Sequence, residues 1–318
     1  MNSSYLDQLP GEVAHLIRTA FVTEFATITR SGIPIDTPLV MFTSEDLETI
    51  DGGTGLAYPA KAERARRNPK TGLLFEGGPN GPVVSIAGIA AVRDRDLQAN
   101  LERYLSEEIL APYLNPALVD YAGVTRQAIW YFTRMLICVK PAHVRWWPNP
   151  AAMDEAPDEW RAPPGTVYPP SDPAPPGAMS QAPWREGAPW LQLAETALAR
   201  KAPGHLTLVD PNGFPLPIRA REVKGDADGF WLSMPGWLPW STGKATLSFE
   251  GVETFVGDAS ISDGEAFLRV ERAMPVLPMM ADVSETLMPS PTTKAALMQR
   301  LEYETRRRGL IIPTMPER

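Results

Sequence analysis

The amino-acid sequence predicts a mainly β protein, in which two β-barrels are fused and carry peripheral helices. Three observations predict this fold class. Short runs with strand-like alternation, separated by turn signals, recur along the chain with few helical patterns between them. A proline-rich segment divides the 318 residues into two halves. The halves repeat one order of strand-forming runs, each with a strand glycine typical of a bulge (Gly88 and Gly257), which favours internal duplication over chance similarity.

The first half, residues 1–148, is expected to form one domain. Its strand-like runs flank a glycine turn at Ser31-Gly32, and one predicted helix ends at Asn68-Pro69, because the residue before a proline avoids helical backbone angles. The predicted helices are 11–20, 60–67, 95–109 and 115–128. The predicted strands are 23–30, 33–43, 46–51, 54–58, 71–76, 82–93 and 134–146.

Residues 149–190 are predicted to be a linker. Twelve prolines lie from Pro148 to Pro189, and they exclude a regular helix or a central strand. The same stretch contains three tryptophans, which a solvated spacer does not need. We therefore expect the linker to pack on the surface of the domains that it joins, with a disordered tether as the alternative. The tryptophans are Trp160, Trp184 and Trp190.

Residues 191–318 are expected to form the second barrel, followed by a C-terminal helix at 292–308. A turn at Asn212-Gly213 repeats the first hairpin of the chain. The segment GDADG at 225–229 lacks the final glutamate of a calcium loop, so a hairpin turn is predicted there.

Composition and charge narrow the possible functions. Hydrophobic residues make up 44% of the chain and charged residues 21%, which is sufficient for a buried core. The net charge of −8 argues against a general nucleic-acid binder. No apolar run of about 18 residues occurs, so no membrane partner is expected, and the first residues do not match a secretion signal. One cysteine and three histidines provide little for a metal site, and we expect a cytoplasmic protein without metal.

Two isolated residues are assigned structural roles. His143 lies on a predicted strand, where a lone histidine is more often hydrogen-bonded than a haem ligand or a proton donor. Cys138 lies in an apolar run at 136–139, which predicts a buried and inert thiol.

A basic segment at 61–70 is the main candidate binding site. A short helix that begins after 58–60 presents free backbone N–H groups and the positive end of its dipole to an anion. Lys61 adds a full charge in the first turn, and Arg64 lies one turn further on the same face. This arrangement suits a phosphate monoester, and a solvated basic face paired with acids is the alternative. The other candidate residues here are Tyr58, Pro59, Ala60, Arg66 and Arg67.

Four motifs, taken in order, resemble one known family. They are R-x-G-x-P-x-x-x-P-x-V from Arg30 to Val40, K-A-E-R-A-R-R-N-P-K-T-G-L-L-F at 61–75, V-x-I-x-G-x-A at 84–90 and V-K-P-A-H-V-R-W-W at 139–147. This order is similar to that of the pyridoxamine 5′-phosphate oxidase-like, FMN-binding split-barrel proteins. The resemblance covers residues 20–148 and extends to 200–275 only through the internal repeat.

The resemblance implies two fused split barrels with FMN bound in the groove between them. In this family the groove usually lies between two subunits. A tandem chain forms such a pair within one molecule, as an intramolecular pseudo-dimer, and a homodimer is a further option. The resemblance also implies that the Lys61 helix holds the flavin phosphate and that the second strand lines the cofactor. The residues implied on that strand are Thr37, Pro38, Leu39 and Val40.

Two departures from the family pattern leave the cofactor open. The second strand lacks the usual basic residues, and Pro59-Ala60 replaces the Ser-Arg that usually precedes the lysine. A deazaflavin, haem or an empty pocket are therefore alternatives to FMN, and pyridoxamine 5′-phosphate oxidase activity itself is not expected. The second half has only residues 239–244 in place of the basic helix, so no second phosphate site is expected there.

The second barrel is expected to supply the other wall of the groove. Trp231, Trp237 and Trp240 lie close together in the sequence and are suited to stack on an isoalloxazine ring, with a role in the barrel core as the alternative. The implied function is FMN-dependent hydride or electron transfer with a small-molecule substrate. No catalytic side chain is predicted, because the flavin supplies the chemistry. A non-catalytic ligand-binding barrel is the competing hypothesis.

Overall fold

The structure, a computed structural model, describes residues 8–20, 22–43, 48–107, 127–180, 189–238, 241–250, 252–274 and 289–316. The helices are α1 (Gly11–Thr19), α2 (Ala60–Arg67), α3 (Leu97–Ser106), α4 (Ile129–Phe132), α5 (Trp190–Arg200) and α6 (Pro291–Arg308). The strands are β1 (Val22–Ile28), β2 (Pro34–Thr43), β3 (Ile50–Gly55), β4 (Lys70–Glu76), β5 (Val83–Arg93), β6 (Arg134–Trp147), β7 (Asp158–Arg161), β8 (Gly204–Val209), β9 (Pro215–Arg219), β10 (Glu222–Gly225), β11 (Gly229–Ser233), β12 (Thr242–Phe249), β13 (Glu253–Ser262) and β14 (Glu265–Ala273).

The first unit is a closed barrel. Its strands are hydrogen-bonded in the order β3-β2-β1-β4-β5-β6, and β3 also pairs with β6, which closes the ring. The neighbouring strands are antiparallel. Phe25, Phe75 and Ile86 are fully buried members of its apolar core.

The second unit is a half-barrel with the strand order β10-β11-β14-β13-β12-β8-β9. Its pairings repeat those of the first unit, since β8–β9 corresponds to β1–β2, β8–β12 to β1–β4, and β11–β14 to β3–β6. Among the described strands, no pairing joins β9 to β11, so the ring is open at the position equivalent to the β2–β3 pairing of the first unit. The mainly β fold class is confirmed, and the internal duplication stays a prediction.

Both predicted bulges are present. The register between β5 and β6 shifts beside Gly88, and the register between β13 and β14 shifts beside Gly257. A Cβ atom at Gly88 would overlap the side chain of Val139, and one at Gly257 would overlap the Arg269 carbonyl. Glycine is therefore required at both positions by the close approach of the neighbouring strand.

Two predicted segments differ from the structure. The strand predicted at 46–51 lies at Ile50–Gly55 instead, because β3 pairs with β6 along its whole length. The predicted strand at 54–58 is wrong, since the Tyr58 N–H donates to the Gly55 carbonyl at 2.8 Å and turns the chain into α2. Pairing with a distant strand outweighs the breaker signal of the β3 glycines. The helix predicted at 115–128 lies almost entirely outside the described residues.

The described part of the linker follows the surface of the first barrel. Strand β7 adds to the edge beside β6, where proline-rich chain is tolerated. Ser171 Oγ accepts the Val92 N–H at 3.0 Å, and the Asp172 N–H donates to the Val92 carbonyl at 2.9 Å. Trp160 donates to Gln8 Oε1 at 3.1 Å, and Trp184 lies outside the described residues.

The C-terminal helix α6 packs on the first barrel, although the chain reaches it from the second unit. Leu297 and Leu301 lie in the apolar core of the first barrel. Arg307 and Arg308 pair with Glu63 on α2, at 3.0 and 2.9 Å. The sequence predicts this helix as part of the second domain, whereas its packing ties the end of the chain to α2.

The two units pack on each other through β1, β2 and β4 on one side and β8, β9 and β12 on the other. The backbones approach closely, because a Cβ atom at Gly72 would overlap the Pro215 carbonyl. Thr246 Oγ1 donates to the Pro34 carbonyl across the same contact. This contact places the second unit directly beside the strands that α2 touches.

Candidate functional site

Helix α2 places the basic segment against the first barrel. Ala62 and Ala65 are fully buried, and these small residues bring the helix close to β1, β5 and β6. No side chain caps its first N–H groups, and the helix ends at Asn68, before a proline, as predicted. Its remaining faces carry the charged residues.

Lys61 lies over the backbone of β2. Its Nζ donates to the Pro38 carbonyl at 2.6 Å and lies 3.4 Å from the Thr37 carbonyl. Burial and the neighbouring Arg64 lower the pKa of Lys61 from its ordinary value to about 7. The nearby Asp36 and Glu24 only partly offset this effect, and Lys61 forms no ion pair in the described part of the chain, so a bound anion would stabilise the ammonium.

Arg64 and Arg67 extend the same basic face toward β1. Arg64 Nε donates to Thr27 Oγ1 at 2.8 Å, and Arg67 Nη2 donates to the Ile28 carbonyl at 3.4 Å. Burial, together with Arg67, lowers the pKa of Arg64 to about 10. Neither guanidinium pairs with a carboxylate among the described residues, so both keep donors for a ligand.

Arg66 points to the other side of α2. It pairs with Asp94 at 2.6 Å and with Glu63 at 3.4 Å, and it donates to the Asp172 carbonyl of the linker. Its charge is therefore neutralised within the protein, in contrast to the charges of Lys61 and Arg64.

The predicted cofactor residues on β2 are all buried, and they divide into two kinds. Leu39 and Val40 belong to the apolar core. Pro38 provides the carbonyl that holds Lys61, and the Thr37 hydroxyl is buried without a hydrogen-bond partner. A buried hydroxyl without a partner is unusual and indicates a missing polar ligand or water.

The residues that precede Lys61 form the entrance to α2. Pro59 is the residue before the helix, and Ala60 is its first residue. Tyr58 is 45% exposed, and the guanidinium of Arg300 on α6 lies 5.0 Å from the centre of its ring. The C-terminal helix therefore borders the candidate site, which the sequence did not indicate.

A buried charge network joins the two units close to this site. His205 on β8 contacts Glu24 Oε1 through Nδ1 at 3.1 Å and Glu76 Oε2 through Nε2 at 2.9 Å. Arg219 pairs with the same Glu76 at 2.8 Å. Burial alone would lower the pKa of His205, but Glu76 and Glu24 outweigh it and raise the pKa to about 10. The imidazole is therefore a cation between two carboxylates.

Asp36 is the second ionisable group at this contact. Thr207 Oγ1 donates to one of its carboxyl oxygens at 2.7 Å, and the other oxygen is buried without a partner. Burial and the adjacent Glu24 raise the pKa of Asp36 well above its usual range. The sequence does not indicate that Glu24, Asp36 and His205 contact one another, because their partners lie on strands far apart in the chain.

The tryptophans proposed as a flavin wall have other partners. Trp237 stacks on Trp147 with ring centres 5.3 Å apart and donates to the Met153 carbonyl at 2.8 Å. Trp231 is half exposed and packs against Phe267. The contact of Trp237 with Met153 corresponds to the linker role that the sequence left as an alternative, whereas Trp231 lies on the surface of the second unit. Trp240 lies outside the described residues.

The remaining isolated residues have structural partners. His143 is hydrogen-bonded to Glu159 at 2.8 Å, and burial lowers its pKa. Burial and the nearby Asp51 raise the pKa of Cys138 to about 12, so its thiol stays protonated although it is only partly buried. Asp226 and Gly229 form the predicted hairpin turn between β10 and β11.

Solved structures are similar to about half of this chain. A protein related to general stress protein 26, of the pyridoxinephosphate oxidase family, from Clostridium acetobutylicum is 12% identical with a TM-score of 0.35, and the match covers 51% of this chain and 96% of that chain. A putative pyridoxamine 5′-phosphate oxidase from Listeria innocua is 16% identical with a TM-score of 0.31, over 43% and 97%. An FAD-binding protein from Mesorhizobium loti is 15% identical with a TM-score of 0.31, over 43% and 94%.

No family model and no curated protein matches the chain. Within the described ranges, no helix is long and apolar enough to cross a membrane. The same part of the chain holds no group of three His, Cys, Asp or Glu side chains suited to a metal ion.

Proposed function

We propose that this chain binds FMN through its phosphate at α2 and acts as a flavin-dependent oxidoreductase. The observation that carries the proposal is the set of cations Lys61, Arg64 and Arg67, which face β1 and β2 without a carboxylate partner in the described chain. A phosphate monoester provides the negative charge and the acceptor oxygens that these groups lack.

Two features of the site fit a phosphate-bearing cofactor. The buried Thr37 hydroxyl has no partner and offers a further donor beside Lys61. The lowered pKa of Lys61 reflects burial and the neighbouring Arg64, and a phosphate dianion would reverse that effect. Lys61, Arg64, Arg67 and Thr37 would therefore hold the phosphate.

The pairing of the two units supports the location of the cofactor. Strands β8, β9 and β12 cover the β1–β2 face of the first barrel, and we propose that this intramolecular pseudo-dimer replaces a second subunit. Bound FMN supplies hydride or electron transfer. The chain's own residues anchor the phosphate and exclude water through the apolar side chains of β2. The substrate is proposed to be a small molecule.

The absorbance spectrum of the purified protein, before and after addition of FMN, tests the proposal. We expect a flavin spectrum that survives desalting, and weaker binding of riboflavin, which lacks the phosphate. Lys61→Met should lower FMN affinity about tenfold or more and leave riboflavin affinity unchanged, because a charge-assisted contact is lost. Lys224→Met, at an exposed lysine of the second unit, is the matched control.

The other cofactors give different outcomes. A protein that remains colourless and refuses FMN contradicts the proposal and leaves the non-catalytic barrel as the explanation. A Soret band would indicate haem. Tighter binding of a deazaflavin than of FMN would mean that the same basic residues hold the phosphate of a deazaflavin.

A further inference from the structure

We propose that Arg134 is the receptor for a carboxylate group, in a binding site beside the phosphate anchor. Arg134 is the first residue of β6 and pairs with Gly55 of β3. Its side chain is 5% exposed, and it forms no salt bridge with any described residue. Arg134 is therefore a buried positive charge that has no counter-ion among the described residues.

The guanidinium of Arg134 is held in place by two aromatic rings. Its central carbon lies 3.8 Å from the centre of the Tyr131 ring and 4.6 Å from that of Tyr104. Stacking of this kind orients the guanidinium plane and partly offsets its charge. It does not provide hydrogen-bond acceptors for the N–H groups, which lie in that plane.

Two nitrogen atoms of this guanidinium lack an acceptor. Arg134 Nε and Nη2 are buried, and neither has a hydrogen-bond partner in the structure. An unpaired buried donor costs free energy, and an unpaired buried charge costs more. Native proteins satisfy nearly all such groups, so two on one side chain indicate a ligand that belongs there.

The identity of the two donors indicates the chemistry of the ligand. Nε and Nη2 form one edge of the guanidinium, and this edge binds the two oxygens of a carboxylate with parallel hydrogen bonds. One guanidinium neutralises one negative charge, which matches a carboxylate better than a phosphate dianion. The single charge therefore favours a carboxylate, whereas the fork by itself would also accept a phosphate.

The position of Arg134 connects this site to the candidate cofactor site. A Cβ atom at Gly55 would lie 3.5 Å from both Arg134 Nη1 and Tyr58 Cδ2, so the two side chains flank the same glycine. The charge of Arg134 also contributes to the lowered pKa of Lys61. Tyr58 is exposed, and Arg300 beside it has a buried Nε without a partner. The region between Tyr58 and Arg134 thus carries a surplus of positive charge.

The carboxylate site stands without the proposed cofactor, but its role as a substrate site rests on the proposed function. A substrate that is anchored by its carboxylate at Arg134 would lie next to a flavin whose phosphate is anchored at Lys61. Small organic acids are the class of substrate that this arrangement accepts.

Carboxylate binding to the full-length protein without FMN tests the inference. Acetate, benzoate and inorganic phosphate are titrated at constant ionic strength, and binding is followed by calorimetry and by the unfolding temperature. We expect acetate or benzoate to bind and stabilise the protein. Arg134→Gln should lower this affinity about tenfold or more, because both donors of the fork are lost. Arg134→Lys keeps the charge without the fork and should lose most of the affinity.

Arg145→Gln is the matched control, since Arg145 lies on the same strand and also has one buried N–H group without a partner. This variant should bind carboxylates as the unmodified protein does. Equal binding by Arg134→Gln, or no carboxylate binding by the unmodified protein, overturns the inference. Tighter binding of inorganic phosphate at Arg134 overturns the carboxylate assignment. Because FMN is absent, these outcomes are independent of whether the protein binds a flavin.

Discussion

At the level of single residues, the basic side chains of α2 differ in whether their charge is neutralised. Arg66 pairs with Asp94, whereas Lys61 and Arg64 contact only carbonyl and hydroxyl oxygens among the described residues. A charge that is paired with a carboxylate, as in Arg66, serves the fold, and a charge without such a partner, as in Lys61 and Arg64, is available to an anion. The partners, and not the sequence positions, therefore separate structural from binding residues on one short helix.

The lowered pKa of Lys61 predicts how FMN affinity depends on pH. Phosphate binding requires the protonated ammonium, and in the free protein the pKa of Lys61 is about 7. FMN affinity should therefore change little between about pH 6, above which the phosphate is a dianion, and pH 7, and fall above pH 7 by roughly tenfold per pH unit at most. Fluorescence titration of FMN on both sides of pH 7 measures this dependence.

Two comparisons control this prediction. Riboflavin affinity should not change with pH, since riboflavin has no phosphate. Lys61→Arg should abolish the fall, because an arginine stays charged throughout. A fall that persists unchanged in Lys61→Arg would show that another group is responsible.

At the level of elements, α6 determines the surroundings of the site although it is remote in the sequence. It buries Leu297 and Leu301 in the first barrel and places Arg300 over Tyr58. Its last turn pairs with Glu63 on α2. The C-terminal helix therefore connects the stability of the first barrel to the position of the candidate site.

Replacement of Leu301 by alanine should destabilise the protein. Leu301 is fully buried, so its truncation leaves a cavity and should cost about 2–5 kcal/mol in the free energy of unfolding. Leu191→Ala on α5 is the control, because Leu191 is 49% exposed, and its effect should stay within about 0.5 kcal/mol. Urea unfolding measures both. Equal effects of the two variants would mean that α6 does not contribute to the core.

At the level of the whole molecule, a charge network holds the two units together. His205 from the second unit lies between Glu24 and Glu76 of the first, and Arg219 adds a second cation. Burial raises the pKa of Glu76, but His205 and Arg219 outweigh this and lower it to about 2. These ionised groups are buried at the contact, so the loss of either partner would leave a charge without its counter-ion.

These shifts predict a pH window of greatest stability. The pKa of His205 is raised from 6.5 to about 10, so its contribution is complete below pH 6.5 and is lost as the pH rises toward 10. The pKa of Glu76 is lowered from 4.5 to about 2, so its contribution is complete above pH 4.5 and is lost as the pH falls toward 2. The contact between the two units should therefore be most stable between pH 4.5 and pH 6.5, where both contributions are complete.

His205→Gln tests this window. Removing one partner of a buried charge pair should cost about 3–5 kcal/mol within it, and the difference from the unmodified protein should shrink as the pH approaches 10. Denaturant unfolding at several pH values measures this difference. His15→Gln, at an exposed position on α1, is the control. A difference that is the same at all pH values would contradict the ionised state of His205.

Features that depend only on neighbouring residues could be predicted from the sequence. The bounds of α2 follow from Pro59 and Pro69, and the bulges follow from Gly88 and Gly257. The turn at Asn212-Gly213 follows from the glycine, because glycine adopts the positive φ of 81° found there without strain. Such features are local, because backbone angles are restricted by the residue itself and by the next one.

The tertiary structure decided every feature that depends on a partner far along the chain. Pairing with β6 extended β3 to Gly55, and packing placed α6 on the first barrel. The carboxylates around His205 and the absence of any carboxylate beside Arg134 in the described chain follow from how the strands assemble. Whether a charge is paired depends on which residues, far apart in the sequence, come close together in space. The sequence thus indicated where the basic groups lie, and only the fold shows which of them still lack an anion.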